Sequence, residues 1–193
     1  MYLFFDTSAI GNPKSYKKPP TDPFNWPRMS HLSWLVYNEE RELIASDNAI
    51  IKPEGWDILP DFERKHHLTG EEAHEKGVDL KEALLRFKKV IDDSEYIISH
   101  NMTYNEGIVG AEFYRKSIDH RLAASDKYCL MREAAWFTKI KGKEGRFKWP
   151  QLQDIHAKIF DARFADAGNA HTDVAVTAIC FFHMLDLEAI ELF

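Results

Sequence analysis

Apolar and polar positions follow a strand-like pattern early in the chain and a mostly helical pattern afterwards. An apolar run from Met1 to Phe5 is followed by two β-rich runs, His31 to Tyr37 and Glu42 to Lys52. The polar segment 38–41 joins these two runs, and its length and polarity predict a hairpin. We therefore expect three consecutive antiparallel strands at the start of the chain.

From Pro53 onwards helical patterns alternate with short strand patterns. The clearest helix is Asp79 to Asp93, whose apolar residues recur at i, i+3, i+4 and i+7 and form one stripe. Glu95 to Ser99 and Lys127 to Met131 are predicted to be short strands, and the last helix is predicted from about Asn169 to Leu187. Strand runs followed by alternating strands and helices predict an α/β fold with a mixed sheet.

Prolines mark two further features. Asn12 to Pro27 holds five prolines and three lysines, a composition that excludes a helix or a central strand. A loop of this length is either functional or a surface insertion, and the pattern favours neither. Pro150 is expected in the first turn of a helix ending at Phe160, where its missing N–H costs nothing. The segment before it, Lys139 to Lys148, is predicted to be a basic loop.

Composition narrows the class of protein. A chain of 193 residues, 45% hydrophobic and 29% charged, suits one compact domain over residues 1–193. The formal charge of −6 argues against non-specific electrostatic binding of nucleic acid over the whole surface, so any phosphate contacts must be local. Cys129 and Cys180 have no metal-binding spacing, no uncharged apolar run is long enough for a membrane span, and we expect no signal peptide. We expect a soluble cytoplasmic protein without a disulfide framework.

Three segments carry a family resemblance. They are Phe-Phe-Asp-Thr-Ser near the start, His100 to Asn105 in the middle, and Phe164 to Val174 near the end. Together they resemble the motifs of the DnaQ-like 3′ to 5′ exonucleases of the DEDDh type, and the similarity extends over essentially the whole chain, including Phe147 to Pro150. The resemblance implies a ribonuclease H-like α/β fold, in which three antiparallel strands and then parallel strands form a mixed β-sheet flanked by helices.

The resemblance also implies an active site in which four carboxylates hold two divalent metals and a histidine activates water. Asp6 and Asp173 match two of the four acids, and they are the expected metal ligands. Ser8 and Asn105 stand at the other two acidic positions, and Gly168 stands at the position of the histidine. These five positions form the candidate catalytic site, of which three are substituted.

The substitutions predict loss of two-metal chemistry. Asp6 and residue 8 lie two apart, so on a strand they share one face. Two carboxylates cannot balance two dications, and Ser8 and Asn105 offer only neutral oxygens, so we expect at most one Mg²⁺ or Mn²⁺. Loss of a general base alone costs roughly 10² to 10⁴ in rate. We expect a weakly active or inactive relative of the polymerase III epsilon and ribonuclease T type that binds nucleic-acid 3′ ends; the alternative is an active exonuclease on DNA or RNA.

Five residues are candidates for contact with a single-stranded DNA or RNA 3′ end: His100, Asn101, Tyr104, Lys141 and Arg146. Tyr104 is either a core residue or a platform on which a terminal base stacks. Lys141 and Arg146 belong to the basic loop, which either contacts phosphates or is simply a solvated surface. Asn101 follows a predicted strand, a position more typical of a helix cap.

Two alternatives remain open from the sequence. His171 would replace the missing histidine if its backbone formed a loop, but on a helix it would lie ~200° from Asp173 around the axis. The segment Asp-Thr-Ser-Ala also resembles the opening of PIN-domain ribonucleases, which explains Ser8. That second resemblance leaves the Phe147 to Pro150 segment, the His100-Asn101 pair and the proline-rich loop unexplained.

Overall fold

Five strands form one sheet in the computed structural model, which describes residues 1–142 and 145–192. The strands are β1 (Tyr2–Ala9), β2 (Met29–Tyr37), β3 (Leu43–Ile50), β4 (Tyr96–Ser99) and β5 (Lys127–Cys129). The helices are α1 (Pro60–His66), α2 (Gly70–Lys76), α3 (Leu80–Asp93), α4 (Met102–Arg115), α5 (Leu130–Thr138), α6 (Leu152–Phe160) and α7 (Ala170–Asp186). A short 3₁₀ turn, Leu122–Ala124, precedes β5.

The sheet is mixed, and β1 lies at its centre in the order β3-β2-β1-β4-β5. β1 pairs antiparallel with β2, which pairs antiparallel with β3. On its other side β1 pairs parallel with β4, and β4 pairs parallel with β5. The three antiparallel strands followed by parallel strands predicted from the sequence are therefore confirmed.

Helices cover both faces of the sheet because side chains of β1 alternate between two cores. Leu3 and Phe5 are fully buried in the core that contains α3 and α4, whereas Phe4 is fully buried in the core that contains α7. A strand buried on both faces must be covered on both sides. None of the helices in the described part of the chain is both long and apolar enough to cross a membrane.

Some element boundaries differ from the sequence prediction. β1 continues through Ala9, because its residues beyond Phe5 keep pairing with β2, so Asp6 and Ser8 lie inside the strand. The predicted strand ending at Met131 is wrong at its end, since α5 begins at Leu130 directly after β5. A short apolar run suits a strand or a buried helix equally well, so periodicity does not separate the two.

The predicted position of Pro150 in a first helical turn is also wrong. Gln151 is the N-cap of α6 and forms a capping box with Asp154, so Pro150 precedes the helix. The basic loop lies between α5 and Pro150, and Lys141 pairs with Phe147 across it. Residues 143 and 144 of that loop lie outside the described residues.

The proline-rich loop is packed against α4. Its Trp26 is buried, and the indole Nε1 donates a hydrogen bond to the Pro19 carbonyl (3.1 Å). Asn25 closes the loop by bonding to both the N–H and the carbonyl of Ser15 (2.9 Å each). A Cβ on Gly107 of α4 would lie 2.2 Å from the Trp26 ring, so a glycine there permits the close approach. The segment is therefore an anchored part of the fold.

A buried carboxylate fastens this loop to the rest of the structure. Glu112 of α4 is fully buried, and its Oε1 accepts hydrogen bonds from Arg28 Nε (2.9 Å) and the Met29 N–H (3.0 Å). Arg115 Nη1 lies 3.1 Å from the same oxygen, and Arg115 Nη2 donates to the carbonyls of Pro23 and Trp26 (2.5 Å each). One carboxylate thus connects α4, the start of β2 and the end of the loop.

Replacing Glu112 by alanine is expected to lower the free energy of unfolding by about 3–5 kcal/mol, because it leaves two arginines without their buried counter-charge. Urea unfolding followed by circular dichroism measures the change. Glu82→Ala is the matched control, since Glu82 pairs with Arg86 on the exposed face of α3, and an exposed pair contributes at most about 1 kcal/mol. Equal losses in the two variants would contradict the assignment.

Candidate metal and nucleic-acid site

Asp6, Asn105 and Asp173 meet in a cavity of about 250 Å³ beside β1. β1, the proline-rich loop, α1, the start of α4 and the segment before α7 all contribute to it. The lining residues are Asp6, Thr7, Asn12, Tyr16, Lys65, His66, Asn101, Tyr104, Asn105, Gly168 and Asp173. The structure therefore brings four of the five candidate catalytic positions into one cavity, and the fifth, Ser8, is fully buried next to Gly168.

Asn105 is held by four hydrogen bonds. Its Oδ1 accepts from the Thr7 N–H (3.1 Å) and from Thr7 Oγ1 (2.7 Å), and its Nδ2 donates to Asp6 Oδ1 (2.7 Å) and Ser99 Oγ (2.6 Å). A backbone N–H only donates, so the contact with Thr7 N fixes which end of the amide is oxygen. Asn105 thus presents an N–H to Asp6, and its oxygen is bonded to Thr7.

The Ser8 hydroxyl is also engaged in a hydrogen bond within the protein and does not line the site cavity. Its hydroxyl donates to the carbonyl of Gly168 at 3.4 Å, and its side chain has no exposure to solvent. Asp6 and Ser8 point to the same side of β1, toward the segment before α7. The hydroxyl thus connects β1 to that segment, where the resembled family would have a carboxylate.

Gly168 has a conformation that excludes a side chain. Its φ is +100°, and a Cβ at this position would lie 2.4 Å from the carbonyl oxygen of Lys65 at the end of α1. Its N–H donates to Asp173 Oδ2 (3.0 Å), and its carbonyl accepts from His66 Nδ1 (2.8 Å). α1 therefore occupies the space into which a histidine at position 168 would project.

Asp6 and Asp173 form a half-buried acidic pair. Burial first, and then repulsion from Asp173, raise the pKa of Asp6 well above its usual value, while the hydrogen bond from Asn105 lowers it. Burial raises the pKa of Asp173 to about 6, against the lowering effect of the Gly168 N–H. Asp173 Oδ1 is buried and has no hydrogen-bond partner among the described residues. Because burial raises both pKa values, these two carboxyls take up protons at a higher pH than exposed aspartates do.

These residues offer hard oxygen ligands to a divalent cation. An acceptor that is buried and unpartnered, next to a second carboxyl, is a donor set of hard oxygens that suits Mg²⁺ or Mn²⁺. Among residues 1–142 and 145–192 no group of three or more His, Cys, Asp or Glu side chains is arranged to hold a metal. A second cation would find neither Asn105 nor Ser8 available to bind it.

His66 is a site residue that the sequence pattern does not indicate. It is buried at the end of α1, and burial lowers the pKa of its imidazole. Because the Gly168 carbonyl only accepts, Nδ1 carries the proton and Nε2 keeps a lone pair, which has no partner among the described residues. The position of His66 beside Gly168 depends on the packing of α1 against the segment before α7. Packing between segments so distant in sequence leaves no local pattern around His66 that would indicate a site residue.

His171 lies elsewhere. It is in the first turn of α7, and its Nδ1 is 3.4 Å from Ser33 Oγ. It lines a different cavity, of about 360 Å³, together with His31. On a helical backbone it diverges from Asp173, and it does not line the cavity that holds Asp6.

Three of the five candidate nucleic-acid residues line the site cavity or the cavity next to it, and two do not. Asn101 caps α4 through the Tyr104 N–H (3.4 Å), as the sequence indicates, and both residues line the site cavity. His100 lines the adjoining groove, and burial lowers the pKa of its imidazole to about 4, so it is neutral at physiological pH. Lys141 and Arg146 lie on the basic loop and do not line the site cavity.

Substituting Gly168 by alanine is expected to lower the free energy of unfolding by about 2–5 kcal/mol, since backbone strain and a clash with Lys65 combine. The matched control is Gly55→Ala, where φ is +73° but no heavy atom lies within 4 Å of the added Cβ. The control carries only the backbone strain, about 1–2 kcal/mol. Urea unfolding of both variants measures the difference, and similar losses would show that α1 does not fill this space.

No known family model and no curated protein matches the sequence. Solved structures do match. Escherichia coli exonuclease I in complex with a dT13 oligonucleotide has a TM-score of 0.73 at 16% identity, covering 96% of this chain and 40% of that chain. A zinc-ion-bound form of the E. coli exonuclease I complex with single-stranded DNA has a TM-score of 0.73 at 17% identity, with the same coverage.

A product-bound structure of exonuclease I also matches, with a TM-score of 0.71 at 16% identity over 96% of this chain and 43% of that chain. The chain thus spans about two fifths of the length of the exonuclease I chains it matches. At these identities the similarity shows the fold alone. The α/β fold with a mixed ribonuclease H-like sheet flanked by helices, predicted from the sequence, is confirmed.

Proposed function

We propose that residues 1–193 form a single exonuclease-like domain that binds the 3′ end of single-stranded nucleic acid and lacks two-metal phosphodiester hydrolysis. The lack of two-metal hydrolysis is argued from the hydrogen bonds of Asn105. Thr7 occupies both acceptor positions of the Asn105 oxygen, and the Asn105 N–H group donates to Asp6. An amide so engaged has no lone pair for a cation. Two-metal hydrolysis needs both ions to stabilise the attacking and leaving oxygens.

Binding of a 3′ end is supported by the chemistry left in the cavity. Asp6 and Asp173 would hold one divalent cation, which would neutralise the pair and attract the terminal phosphate. Lys65 lines the same cavity, and Tyr16 and Tyr104 offer aromatic rings at its wall. Burial raises the pKa of Tyr104, so its phenol stays neutral and adds no repulsion toward a phosphate. The matched exonuclease I structures hold single-stranded oligonucleotides such as dT13, which supports the same class of ligand here.

An active metal-dependent exonuclease is the second candidate, and His66 is the observation that favours it. Its neutral imidazole lies in the wall of the cavity with a free lone pair on Nε2. A histidine of this kind is the usual proton acceptor in catalysis. In this alternative His66, provided by α1, would take the part that position 168 has lost.

A 5′-labelled single strand incubated with the protein in Mg²⁺ or Mn²⁺ is expected to bind and to stay full-length, because one ion and no base at position 168 do not support cleavage. Fluorescence anisotropy measures binding, and denaturing gels measure length. Stepwise 3′ shortening that disappears in Asp6→Asn would overturn the loss of activity. If His66→Gln then slowed the shortening as well, the second candidate would replace the first.

Isothermal titration with Mn²⁺ is expected to show one ion per chain, lost in Asp173→Asn. In Asn105→Asp a third carboxylate faces the cation, so Mn²⁺ should bind at least about tenfold more tightly. Without metal the same variant should unfold at a lower temperature, because the new carboxylate opposes Asp6 at the 2.7 Å contact. Asn38→Asp on the exposed hairpin is the control. Two Mn²⁺ ions bound by the unmodified chain would contradict the single-ion assignment.

A further inference from the structure

A second cavity, of about 430 Å³, adjoins the site. Four residues line both cavities: Lys65, Asn101, Gly168 and Asp173. This second cavity is therefore a groove that leads away from the acidic pair, between α5, α6 and the segment before α7. Trp149 and Phe164 provide its aromatic lining, and Lys65 provides a positive charge.

Trp149 is an exposed aromatic residue in a fixed position. Its side chain is 56% exposed, although it lines the groove. The guanidinium of Arg132 lies 5.6 Å from the centre of its ring, and Arg132 Nη2 donates to Thr103 Oγ1 (2.9 Å), which fixes the arginine to α4. Pro150 follows Trp149 and restricts the tryptophan backbone to an extended conformation. The ring and the cation are thus arranged before any ligand binds.

Further positive and aromatic side chains continue beyond Trp149. Trp136 of α5 is 75% exposed and packs edge-on against Phe147 at 5.0 Å. Phe147 pairs with Lys141 across the basic loop, so Lys141 lies on the same part of the surface. One nearby acid, Asp154, is engaged in capping α6 through the Gln151 N–H (2.9 Å). This side of the protein thus carries the positive charges of Lys65, Arg132 and Lys141 together with exposed aromatic rings, although the whole chain has a formal charge of −6.

We infer that Trp149 and Arg132 form a base-stacking subsite for an internal nucleotide of a single strand whose 3′ end lies in the Asp6–Asp173 cavity. The subsite rests on the proposed function. Every base has a flat face that stacks on an aromatic ring, and arginine adds a cation–π contact and a charge for the phosphate. Bases inside a duplex are already stacked and paired, so the subsite selects an unpaired strand.

The test is binding of a 5′-labelled ten-nucleotide single strand in Mg²⁺, measured by fluorescence anisotropy at physiological salt, with a denaturing gel to verify that the strand stays intact. Trp149→Ala is expected to weaken binding by roughly 5- to 150-fold, the range for loss of one base-stacking contact. Trp149→Phe keeps a ring and is expected to restore most of the binding. The matched control is Tyr114→Ala, which removes an aromatic side chain of similar exposure, 52%, from a different groove. Circular dichroism verifies that each variant is folded.

An abasic position moved along the strand locates the stacked nucleotide. At one internal position the abasic strand should bind wild-type protein as weakly as the intact strand binds Trp149→Ala, and the two changes together should cost no more than either alone. If wild-type protein binds the strand and Trp149→Ala binds equally well, the subsite is refuted while 3′-end binding stands. Equally tight binding of a blunt duplex refutes the subsite too. Failure of wild-type protein to bind any strand overturns both proposals.

Discussion

The hydrogen bonds of one buried amide hold the site together. Asn105 connects α4 to β1 through Thr7 and Asp6, and to β4 through Ser99, with both N–H groups and both oxygen lone pairs in use. A buried polar group that lost any of these partners would lose stability, so the amide orientation is strongly fixed. A carboxylate at this position would have no proton to give Asp6. The Asn105 side chain therefore has a structural role, since it connects α4 to two strands of the sheet.

The absence of a histidine at position 168 is linked to the position of α1. The carbonyl of Lys65 leaves no room for a Cβ at Gly168. The Gly168 N–H instead donates a hydrogen bond to Asp173, and the Gly168 carbonyl accepts one from His66. A glycine with positive φ lets the backbone approach a neighbouring chain this closely. The glycine at position 168 and the packing of α1 against the site are thus two aspects of one arrangement.

Much of the fold followed from local patterns, whereas the chemistry of the site did not. α3 is predicted from its apolar stripe, which is a local signal, and the structure adds Asp79 as its capping residue. α5 was missed because an apolar run at Leu130 fits a strand or a helix. The direction of the Asn105 amide and the contribution of His66 depend on residues about 100 positions away, such as Thr7 and Gly168. Sequence spacing identifies such residue types but does not orient them.

The buried carboxylate of Glu112 also has a consequence for access to the cavity. The proline-rich loop supplies Asn12 and Tyr16 to the cavity wall, and the same loop is tied at its far end to α4 through Arg115. Opening that wall would expose or separate charges that are paired away from water. The loop side of the cavity is therefore coupled to a buried ion pair on α4, so a substitution at Glu112 or Arg115 reaches the cavity wall without touching the acidic pair.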